Sequence, residues 1–242
     1  MTRGSLIRLT IAATLAFGLL IWLGVWQLQR LEWKEGLIQR IETRTERKPV
    51  PLDRAVELAA KMVNPSYLPV RAEGRYHNEL ERYLYSISLD GEPGWHVITP
   101  LETASGKIVL VDRGFVPDKL KNPAMRASGQ FQDVVAATGL IRTSEKPNLF
   151  SPENDDEANQ WFTRDLGAMA RSMFPGGTVN VAPFYLEAVA EDVPGGWPKG
   201  GQTRLEIPNK HLQYALTWFA LAAGLLAVYG TFVWNIWKDK RS

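Results

Sequence analysis

The chain has 242 residues and carries 28 Lys and Arg against 26 Asp and Glu, a net charge of +2. This near balance argues against a nucleic-acid-binding protein, because such proteins carry a clear excess of positive charge. The chain contains no cysteine, which excludes disulfides, thiol nucleophiles, cysteine-ligated zinc or iron–sulfur sites and covalent c-type haem attachment.

Two long apolar segments are the most prominent feature of the sequence. Leu9–Gln29 is a run of 21 residues without a charge, and Leu212–Trp237 is a run of 26. A helix needs about 20 such residues to cross the hydrocarbon layer of a bilayer. The first segment is not typical of a cleaved signal peptide, because its small-residue stretch IAATLA comes too early to leave an apolar region before a cleavage point. We therefore predict two transmembrane helices, at 9–29 and 212–237.

The charges that flank these segments predict their orientation. The N-terminal tail, residues 1–8, carries Arg3 and Arg8 and no acid, and the C-terminal tail, residues 238–242, has three bases and one acid. Positively charged tails of this length stay in the cytoplasm. We therefore expect both tails to be cytoplasmic and residues 30–211 to form an extracytoplasmic domain.

The patterns within this domain indicate an α+β fold. The alternating charges of residues 30–47 continue the first helix, and LDRAVELAAKM from Leu52 and DLGAMARSMF from Asp165 predict two shorter helices. Runs rich in β-branched and aromatic residues predict strands, namely LPVRAEGRYH, ERYLYSISL, GWHVITPL, KIVLVDRGFV, VVAATGLIR and FYLEAV. The loops DGEPG (90–94) and ASG (104–106) predict hairpin connections. We therefore expect an α+β domain dominated by an antiparallel sheet.

The domain has no recognisable catalytic motif. A phosphate-binding loop, HExxH and GxSxG are all absent from the sequence. The three histidines, His77, His96 and His211, are far apart along the chain, and His96 is predicted to be a structural histidine in a strand, not a base. Met169 and Met173, four residues apart on a predicted helix, indicate core packing and not copper binding.

His211 differs from the other histidines because it stands at the start of the second apolar segment. On a helix it shares one face with Tyr214 and Trp218. The first segment carries a comparable stripe, made up of Trp22, Trp26, Arg30 and Trp33. If the helices pack together, the imidazole can ligate haem iron, Arg30 or Lys210 can meet propionates, and the aromatic rings can pack on the macrocycle. The same residues are also typical of interfacial anchors, so the pattern alone leaves both interpretations open.

Several short blocks in a fixed order give the chain a resemblance to a known family. The blocks are GVWQLQRLEWK (24–34), PGWHVITPL (93–101), VLVDRGFVP (109–117), ATGLIR (137–142), the Trp161 region with RDLGAMA, and NKHLQYALTWF (209–219). On these blocks the chain resembles a bacterial member of the Surfeit-locus-one family of cytochrome c oxidase assembly factors. The family pattern commonly has a second Asn before the histidine, whereas this chain has Lys210 there.

The resemblance implies a non-enzymatic role in the maturation of haem–copper oxidases. It implies a protein of the bacterial inner membrane, with its large domain facing the periplasm, that assists the delivery of haem a to subunit I or its insertion there. Subunit I and other assembly factors are then the expected partners. The family's histidine matches His211, the expected metal ligand, and the other candidate haem-binding residues are Tyr214, Trp218, Arg30 and Trp26.

Two further functions stay open at this stage. One is a cofactor-free scaffold that stabilises newly inserted oxidase subunits through lateral helix contacts. The other is a membrane-tethered hydrolase, which a cluster of Ser, Asp and His in the folded sheet would favour.

Overall fold

The chain divides into two compact units, one made of residues 1–40 and 206–242 and the other of residues 41–205. The computed structural model describes residues 3–147, 149, 151–177, 179–202 and 208–239. The helices are α1 (Arg3–Thr45), α2 (Leu52–Lys61), α3 (Leu166–Met173) and α4 (His211–Asp239).

Two long helices, α1 and α4, make up the first unit. They have 43 and 29 residues, and both are long and apolar enough to cross a membrane. They contain the two predicted spans, 9–29 and 212–237. Helix α1 continues to Thr45, as the alternating charges predicted, and α4 begins at His211, one residue before the predicted span.

The two helices contact each other through small and polar residues. The hydroxyl groups of Thr10 and Tyr229 form a hydrogen bond of 2.6 Å. Phe219 packs directly on Gly24, where a Cβ atom would collide with the phenyl ring. Small residues let helix backbones approach closely in a membrane, and the hydroxyl pair satisfies two polar groups without water. The face of α1 that carries Thr10 and Gly24 is therefore the face that contacts α4.

One sheet of seven strands dominates the described part of the second unit. The strands are β1 (Val50–Pro51), β2 (Pro69–Tyr76), β3 (Arg82–Ile87), β4 (Pro93–Thr103), β5 (Ile108–Pro117), β6 (Val135–Arg142) and β7 (Val181–Ala188). Their order is β1-β2-β6-β7-β5-β4-β3, and β2 also pairs with β4. This additional pairing closes β2, β6, β7, β5 and β4 into a ring, so the sheet forms a small barrel.

Gly74 lies where β2 changes its partner strand. It is paired with Val135 on β6 and with Thr103 on β4. A Cβ atom at this position would collide with the carbonyl of Glu102, so the close approach of the two backbones requires glycine. The alternation of residue types predicted the strand but not the pairing at Gly74, and closure of the sheet was not predicted.

The predicted strands and hairpins are confirmed, with one difference in strand direction. Antiparallel pairings predominate, but β5 and β7 are parallel, as are β1 and β2. Parallel neighbours need a long connection. Residues 118–180 supply it between β5 and β7, and they include β6 and α3.

The barrel interior and its outer surface each hold a hydrophobic cluster. Interior side chains come from all five ring strands and from α2, and the large ones include Phe184, Leu101, Leu186 and Val70. On the outside, α3 covers a second cluster that contains Leu84, Ile98, Leu110, Trp161 and Tyr185. Met169 and Met173 are each 2% exposed in this outer cluster, which confirms that they are core residues.

Candidate functional site

His211 is the first residue of α4, and the residues before it fix the start of the helix. The backbone N–H of His211 donates to Oδ1 of Asn209 at 3.4 Å, and the N–H of Tyr214 donates to the carbonyl of Lys210 at 3.2 Å. Polar side chains such as Asn are preferred at helix starts because they satisfy N–H groups that have no partner within the helix. The half-buried imidazole therefore has a defined position at the N-terminus of the apolar helix α4.

Gln27 on α1 holds the imidazole of His211. Its side-chain oxygen, Oε1, lies 2.7 Å from Nδ1 of the histidine. An amide oxygen accepts but cannot donate, so the proton of the neutral imidazole resides on Nδ1. The electron pair on Nε2 is then free to bind a metal, which is the arrangement that metal-ligating histidines require. Sequence reasoning did not single out Gln27, although it lies within the block GVWQLQRLEWK.

Trp218 lies two helical turns beyond His211, on the same side of α4. Its indole nitrogen is buried and makes no hydrogen bond within the described part of the chain. An unsatisfied buried donor costs about 1–3 kcal/mol, and a bound polar group would remove that cost. Tyr214, in contrast, is 52% exposed, so of the predicted α4 stripe only His211 and Trp218 turn inward.

Trp26 and Arg30, which flank Gln27 along α1, contact each other. The Arg30 guanidinium lies 5.7 Å from the ring centre of Trp26 and 5.7 Å from that of Trp33, and Trp26 is 39% exposed. Consecutive residues on a helix point about 100° apart, so Gln27 and its neighbour Trp26 point in different directions. Among the described contacts, the α1 residue that bonds the imidazole of His211 is Gln27.

The groups around His211 suit an iron porphyrin. An imidazole nitrogen with a free electron pair is an axial ligand of haem iron, and the indole N–H of Trp218 offers a donor without a partner among the described residues. Lys210, exposed and adjacent to the histidine in sequence, provides a cation at the start of α4. The donor set thus contains an iron ligand, an unsatisfied hydrogen-bond donor and a positive charge.

His96, the predicted structural histidine, forms a buried pair with Asp112. Its Nδ1 lies 2.8 Å from both carboxylate oxygens, and the two residues are 3% and 1% exposed. Burial on its own would raise the pKa of Asp112. Contacts with His96, with Arg164 and with the backbone N–H of Gly114 outweigh it and hold that pKa below its usual value. The prediction that His96 has a structural partner is confirmed.

Ser86 lines the same cavity as His96, which bears on the hydrolase alternative. A serine nucleophile needs a hydrogen bond to its general base. The described contacts contain the His96–Asp112 bond but no bond from Ser86 to His96. The cluster therefore pairs a histidine with a carboxylate, but the described contacts do not join Ser86 to that pair.

A second buried ionic cluster centres on Glu81, which sequence reasoning missed. Both carboxylate oxygens accept from the guanidinium of Arg126, and Tyr83 and Gln130 donate to them at 3.0 and 3.1 Å. Arg113 lies 3.6 Å away. Glu81, Arg113 and Arg126 are 3%, 5% and 4% exposed. The charged Arg113 within the predicted strand KIVLVDRGFV was the sequence signal of this cluster.

The chain matches known proteins over most of its length. The model of the SURF1 family matches residues 14–223, a range that includes Gln27 and His211. Surfeit locus protein 1 of Homo sapiens is 37% identical over 224 residues, which cover 86% of this chain and 70% of the human protein. The protein of the same name from Mus musculus is 36% identical over 230 residues, covering 89% and 71%. A SURF1-like protein of Monosiga brevicollis is 34% identical over 219 residues, covering 86% and 80%. With a family match across most of its length and relatives at this level of identity, the chain belongs to the SURF1 family.

Proposed function

We propose that this chain assists the assembly of haem–copper cytochrome c oxidase by handling haem a on its way to subunit I, without catalysing a reaction of its own. The observation that carries the proposal is the bond from His211 to Gln27 (2.7 Å), which leaves Nε2 of the imidazole free for iron. The chain belongs to the SURF1 family, and this family is one of cytochrome c oxidase assembly factors. Family membership therefore supports an oxidase-assembly role.

Each residue of the site has a distinct proposed task. His211 would hold the iron of a bound haem through Nε2, and the haem would supply the metal that accepts this electron pair. Gln27 orients the ring and fixes its proton on Nδ1. Trp218 contributes an aromatic surface and a buried donor. The exposed residues Tyr214, Trp26, Arg30 and Lys210 are proposed as the outer contacts of the cargo.

We propose that the protein lies in the bacterial inner membrane with both ends in the cytoplasm, because both tails are basic. Reporter fusions at residues 1 and 242 should then read as cytoplasmic, and a reporter inserted at Gly91 should read as extracytoplasmic. Gly91 is exposed in the turn between β3 and β4, so an insertion there leaves both strands intact. A cytoplasmic reading at Gly91 would overturn the proposed orientation.

The assembly role is tested by deleting the gene and measuring oxidase in the membranes. We expect the deletion strain to lose most of its subunit I and most of the haem a absorbance of its membranes. The full-length chain should restore both, and the His211→Ala variant should restore neither. Normal oxidase content in the deletion strain would contradict the assembly role.

Replacing Gln27 tests whether the imidazole is held in one orientation. Gln27→Ala should weaken haem binding by about 10–100-fold, the usual effect of losing a partner that orients a metal ligand. Gln29→Ala is the matched control, because Gln29 is an exposed amide on the same helix. Titration of each purified variant with haem, followed in the visible spectrum, measures the two affinities. Equal affinities for the two variants would show that Gln27 does not position His211.

A further inference from the structure

The second unit contains a polar cavity that the proposed haem function does not use. Its volume is about 340 Å³, within the range of about 300–1,000 Å³ usual for small-molecule sites. Its walls are formed by Tyr67, Ser86, Ile87, Leu89, His96, Arg142, Arg164, Glu187 and Gln202. Most of these side chains carry a hydrogen-bonding group, so the cavity is suited to a polar ligand.

The register of the strands brings the polar residues of this cavity together. Asp112 on β5 pairs directly with Glu187 on β7 and with Ile98 on β4. Opposite His96 and Ile98 of β4, strand β5 carries one extra residue between Asp112 and Phe115, and His96 contacts the carboxylate of Asp112 there. These residues lie on the outer face of the barrel, beyond the end of the hydrophobic cluster that α3 covers.

Three ionisable groups of this face are almost completely buried. His96, Asp112 and Glu187 are 3%, 1% and 6% exposed, and burying charged groups is costly unless they are paired. Asp112 is paired with His96 and, at 3.4 Å, with Arg164. Glu187 lies 3.4 Å from Arg142. Such a concentration of buried charge beside a cavity is typical of a binding site.

One donor of the cavity has no partner among the described residues. The Nε atom of Arg164 is buried without a hydrogen bond. Asp112 occupies Nδ1 of His96, which fixes the ring in the cavity wall. Buried polar groups are normally satisfied, so the Nε–H of Arg164 calls for a ligand with an acceptor atom.

The charges of the wall determine the kind of ligand. Two guanidinium groups, Arg142 and Arg164, face the cavity with one carboxylate, Glu187. Outside the lining, Asp112 pairs with His96 and Arg164, and the exposed Glu145 pairs with Arg164 at 3.4 Å. The Arg142 guanidinium is 4.9 Å from the ring centre of Tyr67, which keeps it at the wall. Guanidinium groups repel metal cations and bind planar oxyanions through paired N–H donors.

We propose that this cavity binds the oxyanion group, carboxylate or phosphate, of a small molecule. Arg142 and Arg164 bind the oxygen atoms, and the hydroxyls of Tyr67 and Ser86 complete the wall. Ile87 and Leu89, which are 55% and 51% exposed, contact the apolar part of the ligand at the rim. The site is separate from His211 and does not depend on haem binding.

Calorimetric titration of the full-length chain in detergent tests this site, with inorganic phosphate and acetate as the two probes. We expect saturable binding of at least one probe, and the probe that binds identifies the oxyanion class. Arg142→Gln should weaken that binding by about tenfold or more, because it removes a charge-assisted hydrogen bond. The Arg142 side chain is 26% exposed, but it is the partner of the buried Glu187, so a thermal unfolding scan checks that the variant is folded.

Arg71→Gln is the matched control. Arg71 is a surface arginine paired with an exposed carboxylate at 3.3 Å, and it lies outside the cavity. Its replacement should leave probe binding unchanged. Absence of binding by both probes, or equal binding by the Arg142→Gln and Arg71→Gln variants, would overturn the proposal.

Discussion

The His211→Ala variant is expected to lose the Soret absorbance of the purified protein while it still inserts into the membrane. Removal of the imidazole removes the proposed bond to iron, so haem affinity should fall by more than the roughly 10–100-fold that follows loss of an orienting partner. Alanine is the residue that helices tolerate best, so α4 should form normally. The visible spectrum and the amount of membrane-extracted protein measure the two effects separately.

Two further variants show whether that loss is specific. Arg30→Ala removes only a charge contact, and its guanidinium already lies over Trp26 and Trp33, so it should weaken haem retention less than His211→Ala does. Trp197 lies in a loop of the second unit, so the Trp197→Ala variant should have an unchanged spectrum. A wild-type Soret band in the His211→Ala protein, together with normal oxidase levels, would show that His211 is not the ligand.

Replacing Glu81 with glutamine is expected to destabilise the second unit by about 3–5 kcal/mol. The substitution keeps the shape of the side chain but removes its charge, which leaves the guanidinium groups of Arg113 and Arg126 buried without a compensating anion. The expected loss is large because both arginines are at most 5% exposed. Chemical denaturation of the full-length chain in detergent measures the free energy of unfolding.

Glu73→Gln is the control for charge removal at the surface. Glu73 pairs with Arg71 at 3.3 Å, and both side chains are more than half exposed, so the pair should contribute less than about 1 kcal/mol. If Glu81→Gln cost no more stability than Glu73→Gln, the buried cluster would not be an important source of stability.

The elements of this protein were predictable from the sequence because each has a strong local signal. The uninterrupted apolar runs predicted α1 and α4 through their length. Strands such as β5 (Ile108–Pro117) were recognisable from β-branched residues and flanking turns. Met169 and Met173 are four residues apart, a spacing that places both on one face of a helix, and this predicted their burial.

The contacts between elements were not predictable, because they depend on which faces meet. Periodicity placed Trp26 and Arg30 on one stripe but could not show that Gln27, which lies between them along the chain, bonds His211. Ring closure at Gly74 and the pairing of Glu81 with Arg126 join residues that are far apart in the sequence. A local pattern carries no information about such partners, so the residue that holds His211 was visible only in the folded chain.

The visible spectrum of the wild-type protein tests the central claim most directly. The full-length chain is purified in detergent from cells that make haem a, and the preparation is washed extensively. A Soret band that survives the washing is expected, because we propose that the imidazole of His211 binds iron through its free Nε2. A colourless preparation that co-purifies with oxidase subunits would contradict haem handling and would identify the chain as a cofactor-free scaffold.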